Sequence, residues 1–317
     1  MTPPAEGEPL IIGDTSDPHV QAVCKALVER GARPIAVDLE VVMRDGLTIS
    51  EDTTAVRVND TWIDLGIWRG GWLRRIHRAP WGLGIETGSV HALELGTWHS
   101  AFTWTLDDAN IDWVSSPRSL RAAEGKLEQW NAARRLGIDY PRTLVTSRAD
   151  DVRAAFWGDV LVKPLGSGQF LHGDEVRTVF AEVLATNDSR LDFLSEAPFI
   201  VQELLHAERH LRVVTVGQQA WVAALHVPAE EPADWRRTRA NHDGFVYVRG
   251  ELPEVATGAV AIATEFALGY SSQDWVQTSD GRTVLLDLNP SGQWLFLPER
   301  VGMEVAVALA ERILRTM

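Results

Sequence analysis

The sequence predicts an α/β domain that passes into an α+β region, and three observations predict it. Residues 10–38 hold a strand, a helix and a strand in close succession; residues 143–289 break into short β-like runs separated by polar turns; an amphipathic helix closes the chain. The first pattern favours parallel pairing through a crossover, whereas the second suits antiparallel sheets. The 317 residues suffice for about two domains, or one large domain with subdomains.

Leu10 to Ile12 form an apolar run stopped by Gly13, as a buried strand does. From Asp17 the period changes: Val20, Val23, Cys24, Leu27 and Val28 recur at helical spacing, Asp17-Pro18 supplies the start and Gly31 the stop. Residues 34–38 read as the next strand. The intervening GDTSDPH lacks the glycine spacing of a dinucleotide fold. TAVRV and TWIDLGIW are β candidates, and residues 85–108 form a long helix with Val90, Leu93, Leu95, Trp98, Phe102 and Leu106 on a broad apolar face. A short strand, a Ser-Ser-Pro turn and one amphipathic helix follow, the helix packing through Leu120, Leu127, Trp130, Ala133 and Leu136. The turn at Ser115 is the first boundary. TLVTS, DVLVKPLGSGQ, APFIVQELL, HLRVVTVG, QAWVAALHV and GFVYVRG are β-like, a helix covers residues 254–268, and SQDWVQTSDGRTVLLDLNPSG is two strands joined by a Ser-Asp-Gly-Arg turn. The expected division is 1–115, 116–198 and 199–317.

Composition narrows the function. A net charge of −14 opposes non-specific attraction to nucleic acid or anionic lipid. A single cysteine, Cys24, excludes an internal disulfide framework and multi-Cys zinc sites, and fits a reducing compartment such as the cytosol. No stretch has the ~20 apolar residues of a membrane helix. No G-x-S-x-G elbow is present. Thirteen Trp against three Tyr is unusual, and seven of the Trp fall at or before Trp113.

Four groups of residues could carry chemistry. In VLVKPLGSGQF, Lys163 ends an apolar strand directly before Gly166, Ser167 and Gly168, so a fixed charge stands beside backbone N–H groups able to hold phosphate oxygens. The lysine precedes the glycines, so this is not the Walker pattern; read alone, it equally describes a strand end and a turn. In DLNPSG, Asp287 and Asn289 are two apart and share a strand face, with Asp274 on the neighbouring strand. Hard oxygen donors on one face suit Mg²⁺ that also touches phosphates, although Asp and Asn beside turns are commonly turn formers. Gln202 and Glu203, in the connector between two apolar strands, could face a purine edge, and Arg212 emerges among apolar neighbours as a phosphate clamp or a surface strand residue. Lys126 lies on a helix face otherwise used for packing.

The order of these features resembles the ATP-grasp superfamily from about Ser115 to the end: helix lysine, strand lysine with a small loop, Gln-Glu connector, strand arginine, Asp, then Asp-x-Asn. The nearer likeness is to the ribosomal-peptide maturases that make graspetides, the microviridin-type synthetases and their actinobacterial relatives. It rests on KLEQWNAARRLGIDYPRTLVTS, VLVKPLGSG, FIVQELL, ERHLRVVTVG, DWR at 234–236 and LDLNPSGQWLFLPE. The Asn-Pro-x-Gly-Gln-Trp ending sets this group apart from the ribosomal S6 glutamate ligases, and IWRGGWLRR is similar to the pre-ATP-grasp domain of these maturases. The resemblance implies an ATP-grasp fold with an N-terminal parallel α/β domain, ATP and two Mg²⁺ ions. It implies Lys126 and Lys163 on the α- and β-phosphates, Gly166 to Gly168 closing over the nucleotide, and Gln202, Glu203, Leu204 and Leu205 lining the adenine pocket. Asp274, Asp287 and Asn289 match the metal ligands, and Arg212 and Arg236 would face the transferred phosphate or the acidic acceptor. Asp287 stands where Glu is commoner, and His210 where an acid is usual, which moves ribose contact to Glu208.

The implied activity is ADP-forming ligation: an Asp or Glu side chain of a ribosomal precursor peptide becomes an acyl phosphate, and Thr, Ser or Lys closes an ω-ester or ω-amide ring. The partners implied are that peptide, with a leader and an acidic, Thr-rich core, and a second copy of the chain, with no nucleic acid and no membrane. Arg69, Arg74, Arg75 and Arg78 make a basic, Trp-bearing segment that could take an acidic peptide or pair with the protein's own carboxylates. Residues 230–248 are the candidate leader-contacting hairpin. The alternatives are a ligase adding an amino acid to a carboxylate, and a nucleotide-binding regulator without turnover.

Overall fold

The computed structural model describes residues 8–51, 54–58, 61–76, 82–166, 168–226 and 243–315. The chain begins β1 (Leu10–Ile12), α1 (Pro18–Val28), β2 (Ile35–Val37), α2 (Leu39–Asp45), β3 (Leu47–Ile49), β4 (Thr54–Val58), β5 (Thr61–Asp64), β6 (Gly70–Leu73), α3 (Val90–Asp108) and β7 (Asp112–Trp113). Strands β2-β1-β6-β7 form a wholly parallel sheet, as the crossover pattern favours, and β3-β4-β5 a separate antiparallel one. Asp17 caps α1 by accepting from the His19 N–H, with Pro18 in the first turn. The short α2 has no clear signature in the sequence pattern; Asp38 caps it and only Leu39 and Val42 are buried. On α3 the buried stripe is Leu95, Phe102 and Leu106, whereas Val90 and Leu93 are 73% and 70% exposed, because they fall off the 3.6-residue stripe through Leu95.

Two helices stand where the periodicity predicts one: α4 (Pro117–Glu124) and α5 (Lys126–Leu136). Gly125 separates them with extended φ −68° and ψ 113°. The break also changes the packed face: Leu127 and Leu136 are exposed, and Gln129, Ala132 and Ala133 are buried.

The chain continues β8 (Thr143–Thr146), α6 (Ala149–Ala155), β9 (Asp159–Pro164), β10 (Gln169–His172), β11 (Glu175–Thr178), β12 (Glu182–Ala185) and β13 (Phe199–Glu203). Strands β12-β9-β13-β8 form an antiparallel sheet, and β10-β11 a hairpin. Thus β13 completes the second unit's sheet, although the expected boundary at 198/199 assigns it to the third unit; the ladder to β8 and β9 ends only at Glu203. The last part is β14 (Ala207–Val216), β15 (Gln219–His226), β16 (Val246–Tyr247), α7 (Pro253–Glu265), β17 (Tyr270–Thr278), β18 (Thr283–Asn289) and α8 (Glu299–Arg315). Its antiparallel order is β16-β15-β14-β17-β18.

The first and last units share their cores. Ile11, Val20 and Trp72 pack with Trp221, Tyr270, Trp294 and Leu309 in one cluster. The Trp72 and Trp294 rings lie 6.1 Å apart and Tyr270 and Trp294 5.3 Å, tilted as aromatic pairs prefer. Trp68, Trp72, Trp113, Trp221, Trp275 and Trp294 are all buried, so much of the unusual Trp count is core. Among the described residues no helix is long and apolar enough to cross a membrane.

Candidate functional site

Antiparallel register builds the centre of the site. Arg212 on β14 is the cross-strand partner of Asp274 on β17, and Asp274 is the partner of Asp287 on β18, so three charged residues lie in one row. A register shift between Asp274 and Trp275 comes directly after, the kind of irregularity that re-aims side chains beside a site. Arg212 Nη1 donates to Asp274 Oδ1 at 2.7 Å and its Nη2 to the Gln293 carbonyl at 2.9 Å. Lys126, in the first turn of α5, pairs with Asp287 Oδ1. The break at Gly125 thereby places a lysine at the helix start that faces the strand.

Gln129, one turn further, fixes that approach, and sequence reasoning passes over it. Its side-chain amide donates to the carbonyls of Ala123 and Leu288, both at 2.7 Å, and accepts from the Leu288 N–H at 3.1 Å. It is wholly buried. A glutamine among the alanines of a packing helix face is the signal that could have found it.

The loop after β18 is held by its own turn and by the first domain. Asn289 Oδ1 accepts from the Ser291 N–H at 3.0 Å, so this side chain does form the turn expected of Asn in that context. The buried Tyr270 hydroxyl donates to the Gly292 carbonyl at 2.8 Å, and burial pushes its pKa up to about 12. Arg74 Nη1 donates to the carbonyls of Ser291 and Gly292, the latter at 3.1 Å, while Nε donates to Asp17 Oδ2 at 3.2 Å. His19 Nε2 accepts from the N–H groups of Trp294 and Leu295 at 3.1 and 3.4 Å, with Nδ1 2.8 Å from Asp17 Oδ1. Burial alone would raise Asp17's pKa, but the hydrogen bonds from His19 and the charge of Arg74 outweigh it and hold the carboxyl well below its usual range. Arg74 is therefore not part of a surface patch: it is 1% exposed and pairs internally, Arg69 is exposed, Arg75 is partly buried, and Arg78 lies outside the described residues.

The nucleotide-side candidates lie on the second sheet and its exit. Lys163 is opposite Ile200 on β13. Gly168 has φ +67°, and a Cβ there would meet the Val179 carbonyl oxygen at 2.9 Å, so its glycine is required by the backbone, whereas a Cβ on Gly166 meets open space. Ser167 and Arg236 lie outside the described residues. The side chain of Gln202 is buried, donates to Thr143 Oγ1 at 2.9 Å and bonds the Tyr140 phenol. Glu203 Oε1 likewise accepts from the Arg142 N–H at 3.0 Å. Both are purine-contact candidates by sequence, and in the structure both side chains tie β13 to the 140–143 segment. Leu204, Leu205 and His206 lie between the ladders of β13 and β14, leaving backbone groups that neither ladder uses. Glu208 is exposed at the β-bulge between Ala207 and Arg209, and His210 is buried. Tyr140 connects the two halves: burial and then the nearby negative Asp287 raise its pKa, while its hydroxyl bonds Gln202.

The donor set fits Mg²⁺ shared with phosphates. Among the described residues no three His, Cys, Asp or Glu side chains group as a metal site. Two carboxylates and an amide supply only hard oxygen ligands, and Mg²⁺ held that way completes its shell with phosphate oxygens and water. Arg212 and Lys126 pair with the two carboxylates, which sets two cations beside them. Gly168→Ala is expected to lower stability by about 1 kcal/mol or more, because strain at positive φ and the Val179 contact would displace the loop; urea unfolding checks this.

No protein-family model and no curated protein sequence matches the chain. Solved structures match it over nearly its whole length. A RiPP-associated ATP-grasp ligase from Chryseobacterium gregarium, in complex with ADP and a leader and core peptide, superposes with TM-score 0.85 at 18% identity, covering 98% of this chain and 97% of that one. The macrocyclase MdnC from Microcystis aeruginosa MRC, bound with precursor peptide MdnA, gives 0.80 at 20% identity over 98% and 100%. The ATP-grasp ligase PsnB, complexed with minimal precursor, Mg and ADP, gives 0.73 at 22% identity over 97% of each. This chain therefore has the ATP-grasp fold, in an arrangement that matches these ATP-grasp ligases over nearly their whole length.

Proposed function

We propose that this protein is an ATP-dependent, ADP-forming ligase that closes macrocycles within a ribosomally made precursor peptide. The observation that carries the reading is the row Arg212, Asp274, Asp287, joined by Lys126 and by the Asn289 turn, inside a fold that superposes end to end on peptide-bound ligases.

The chemistry rests on what these residues can do. A carboxylate resists attack by an alcohol or amine until one oxygen becomes a good leaving group. Transfer of the γ-phosphoryl group of ATP to an Asp or Glu side chain of the peptide gives an acyl phosphate and ADP. A Thr or Ser hydroxyl, or a Lys amine, then attacks the acyl carbon, loses its proton and expels phosphate, leaving an ω-ester or ω-amide. Mg²⁺, when bound, neutralises phosphate charge and aligns its oxygens; Asp274, Asp287 and Asn289 would hold it. Lys126 and Lys163 would take the α- and β-phosphates, and Arg212 would stabilise charge on the transferred group. Positioning and charge carry such catalysis, so the absence of a nucleophile motif is consistent with it. Leu204 and Leu205 would contact adenine through their backbone, a role supported by their position between ladders. Arg236 and most of the proposed leader-contacting segment, residues 230–242, lie outside the described residues; within 243–248, β16 extends the last sheet beside β15.

Incubation of the purified protein with ATP, Mg²⁺ and a small acidic, Thr-rich peptide encoded beside its gene tests the reading. ADP release should depend on the peptide, and mass spectrometry should show loss of one water for each ring. A gain in peptide mass equal to an amino acid residue would instead identify an amino-acid-adding ligase. Intact ATP binding with no peptide-dependent turnover would identify a regulator.

A further inference from the structure

The 289–295 loop is gripped on both sides of its backbone by another domain. Arg74 takes the carbonyls of Ser291 and Gly292, and His19 takes the N–H groups of Trp294 and Leu295. Two backbone donors aimed at Nε2 require that nitrogen to be unprotonated, so the ring proton sits on Nδ1 and is donated to Asp17. Asp17 in turn holds Arg74 and caps α1, which makes the three side chains one unit built on the start of a helix and the end of β6. His19 also stands edge-on to the Trp294 ring at 4.4 Å, so both side chains are fixed in place.

What the loop carries gives this grip its consequence. One end presents Asn289; the other presents the Gln293 carbonyl, which accepts from Arg212 at 2.9 Å and from Ser272 Oγ at 3.2 Å. Gly292 leaves no slack, since a Cβ there would meet Ser272 Cβ at 2.5 Å and Arg212 Nη2 at 3.1 Å. A shift of the loop would move Asn289 and the arginine that pairs with Asp274 together.

We propose that Asp17, His19 and Arg74 are positioning residues through which the first domain sets the metal-binding geometry of the site. The assignment rests on the proposed reading of the site as one for metal and nucleotide. His19 is the element to test, because its two nitrogens do separable work. A glutamine can present an acceptor near Nε2, whereas an asparagine is too short to reach the Trp294 amide and keeps only the Asp17 side. Both substitutions are polar and neutral, so the comparison does not depend on removing a buried ring in one variant alone.

The experiment is Mn²⁺ titration by electron paramagnetic resonance in the presence of ADP, with unfolding curves for each protein. Wild type and His19→Gln should bind Mn²⁺ alike within about threefold, and His19→Asn about tenfold more weakly, the range lost when the support of a metal ligand is removed. ADP binding in EDTA should be equal in all three. Equal Mn²⁺ affinity in all three overturns the positioning role, and a His19→Gln as weak as His19→Asn overturns the acceptor assignment at Nε2. Failure of wild type to bind Mn²⁺ with ADP overturns the underlying reading of the site, and the proposal with it.

Discussion

Asp287→Asn should reduce peptide-dependent ADP release by about a hundredfold to a thousandfold while leaving the protein folded, the scale reached when a preorganised electrostatic group at a reacting centre is lost. Asp287 lies at the junction of three constraints. It is the cross-strand partner of Asp274, it pairs with Lys126, and the next residue, Leu288, is bound at both its N–H and its carbonyl by Gln129. Its position is therefore set by backbone register and by a buried amide, and replacement of its charge leaves those supports in place. The Lys126 and Asp287 side chains are 27% and 26% exposed, so losing their attraction costs stability only about 1 kcal/mol or less. Activity and stability should thus separate. Asp287→Glu sharpens the test: it retains the charge and adds one methylene against a lysine that already touches the shorter acid. Partial activity in Glu and none in Asn would locate the requirement in the carboxylate. Wild-type ADP release by Asp287→Asn would refute its assignment as a metal ligand.

The legible parts of this molecule are those written in local chemistry. Parallel pairing of 10–12 with 35–37 comes from the crossover, and the proximity of Asp274 and Asp287 from two strands joined by a short turn. The hidden parts depend on contacts between residues far apart in the chain. Gln202 and Glu203 look like ligand groups in a connector, yet β13 belongs to the second sheet, and there their side chains meet Thr143, Tyr140 and Arg142. Arg74 reads as one of a basic cluster, and only folding shows it buried against a loop more than two hundred residues later. The Trp surplus has the same character: Trp72 and Trp294 form one cluster across the domain junction. Leu127 and Leu136 mislead for a smaller reason, since Gly125 restarts the helix and rotates its packed face.

Arg212 couples the stability of the site to its chemistry, and its two conservative variants should therefore fail differently. Arg212 is 7% exposed, with the Phe296 ring 5.6 Å from the centre of its guanidinium, which spans two acceptors on separate segments, Asp274 and the Gln293 carbonyl. Arg212→Met fills the space but leaves the Asp274 carboxylate without this donor in a poorly solvated place and the Gln293 carbonyl with Ser272 Oγ in place of two donors, which should cost about 3 kcal/mol. Arg212→Lys keeps the charge, but a single ammonium lacks the planar fork that serves both acceptors at once, so it should recover most of the stability and little of the activity. Peptide-dependent turnover should fall at least about a hundredfold in both, because a group proposed to stabilise charge on the transferred phosphate needs its orientation as well as its charge. Urea unfolding at constant slope measures the first effect and ADP release the second. If Lys restores both, the arginine acts as a charge alone, and the loop held by Arg74 and His19 need not be placed accurately for catalysis.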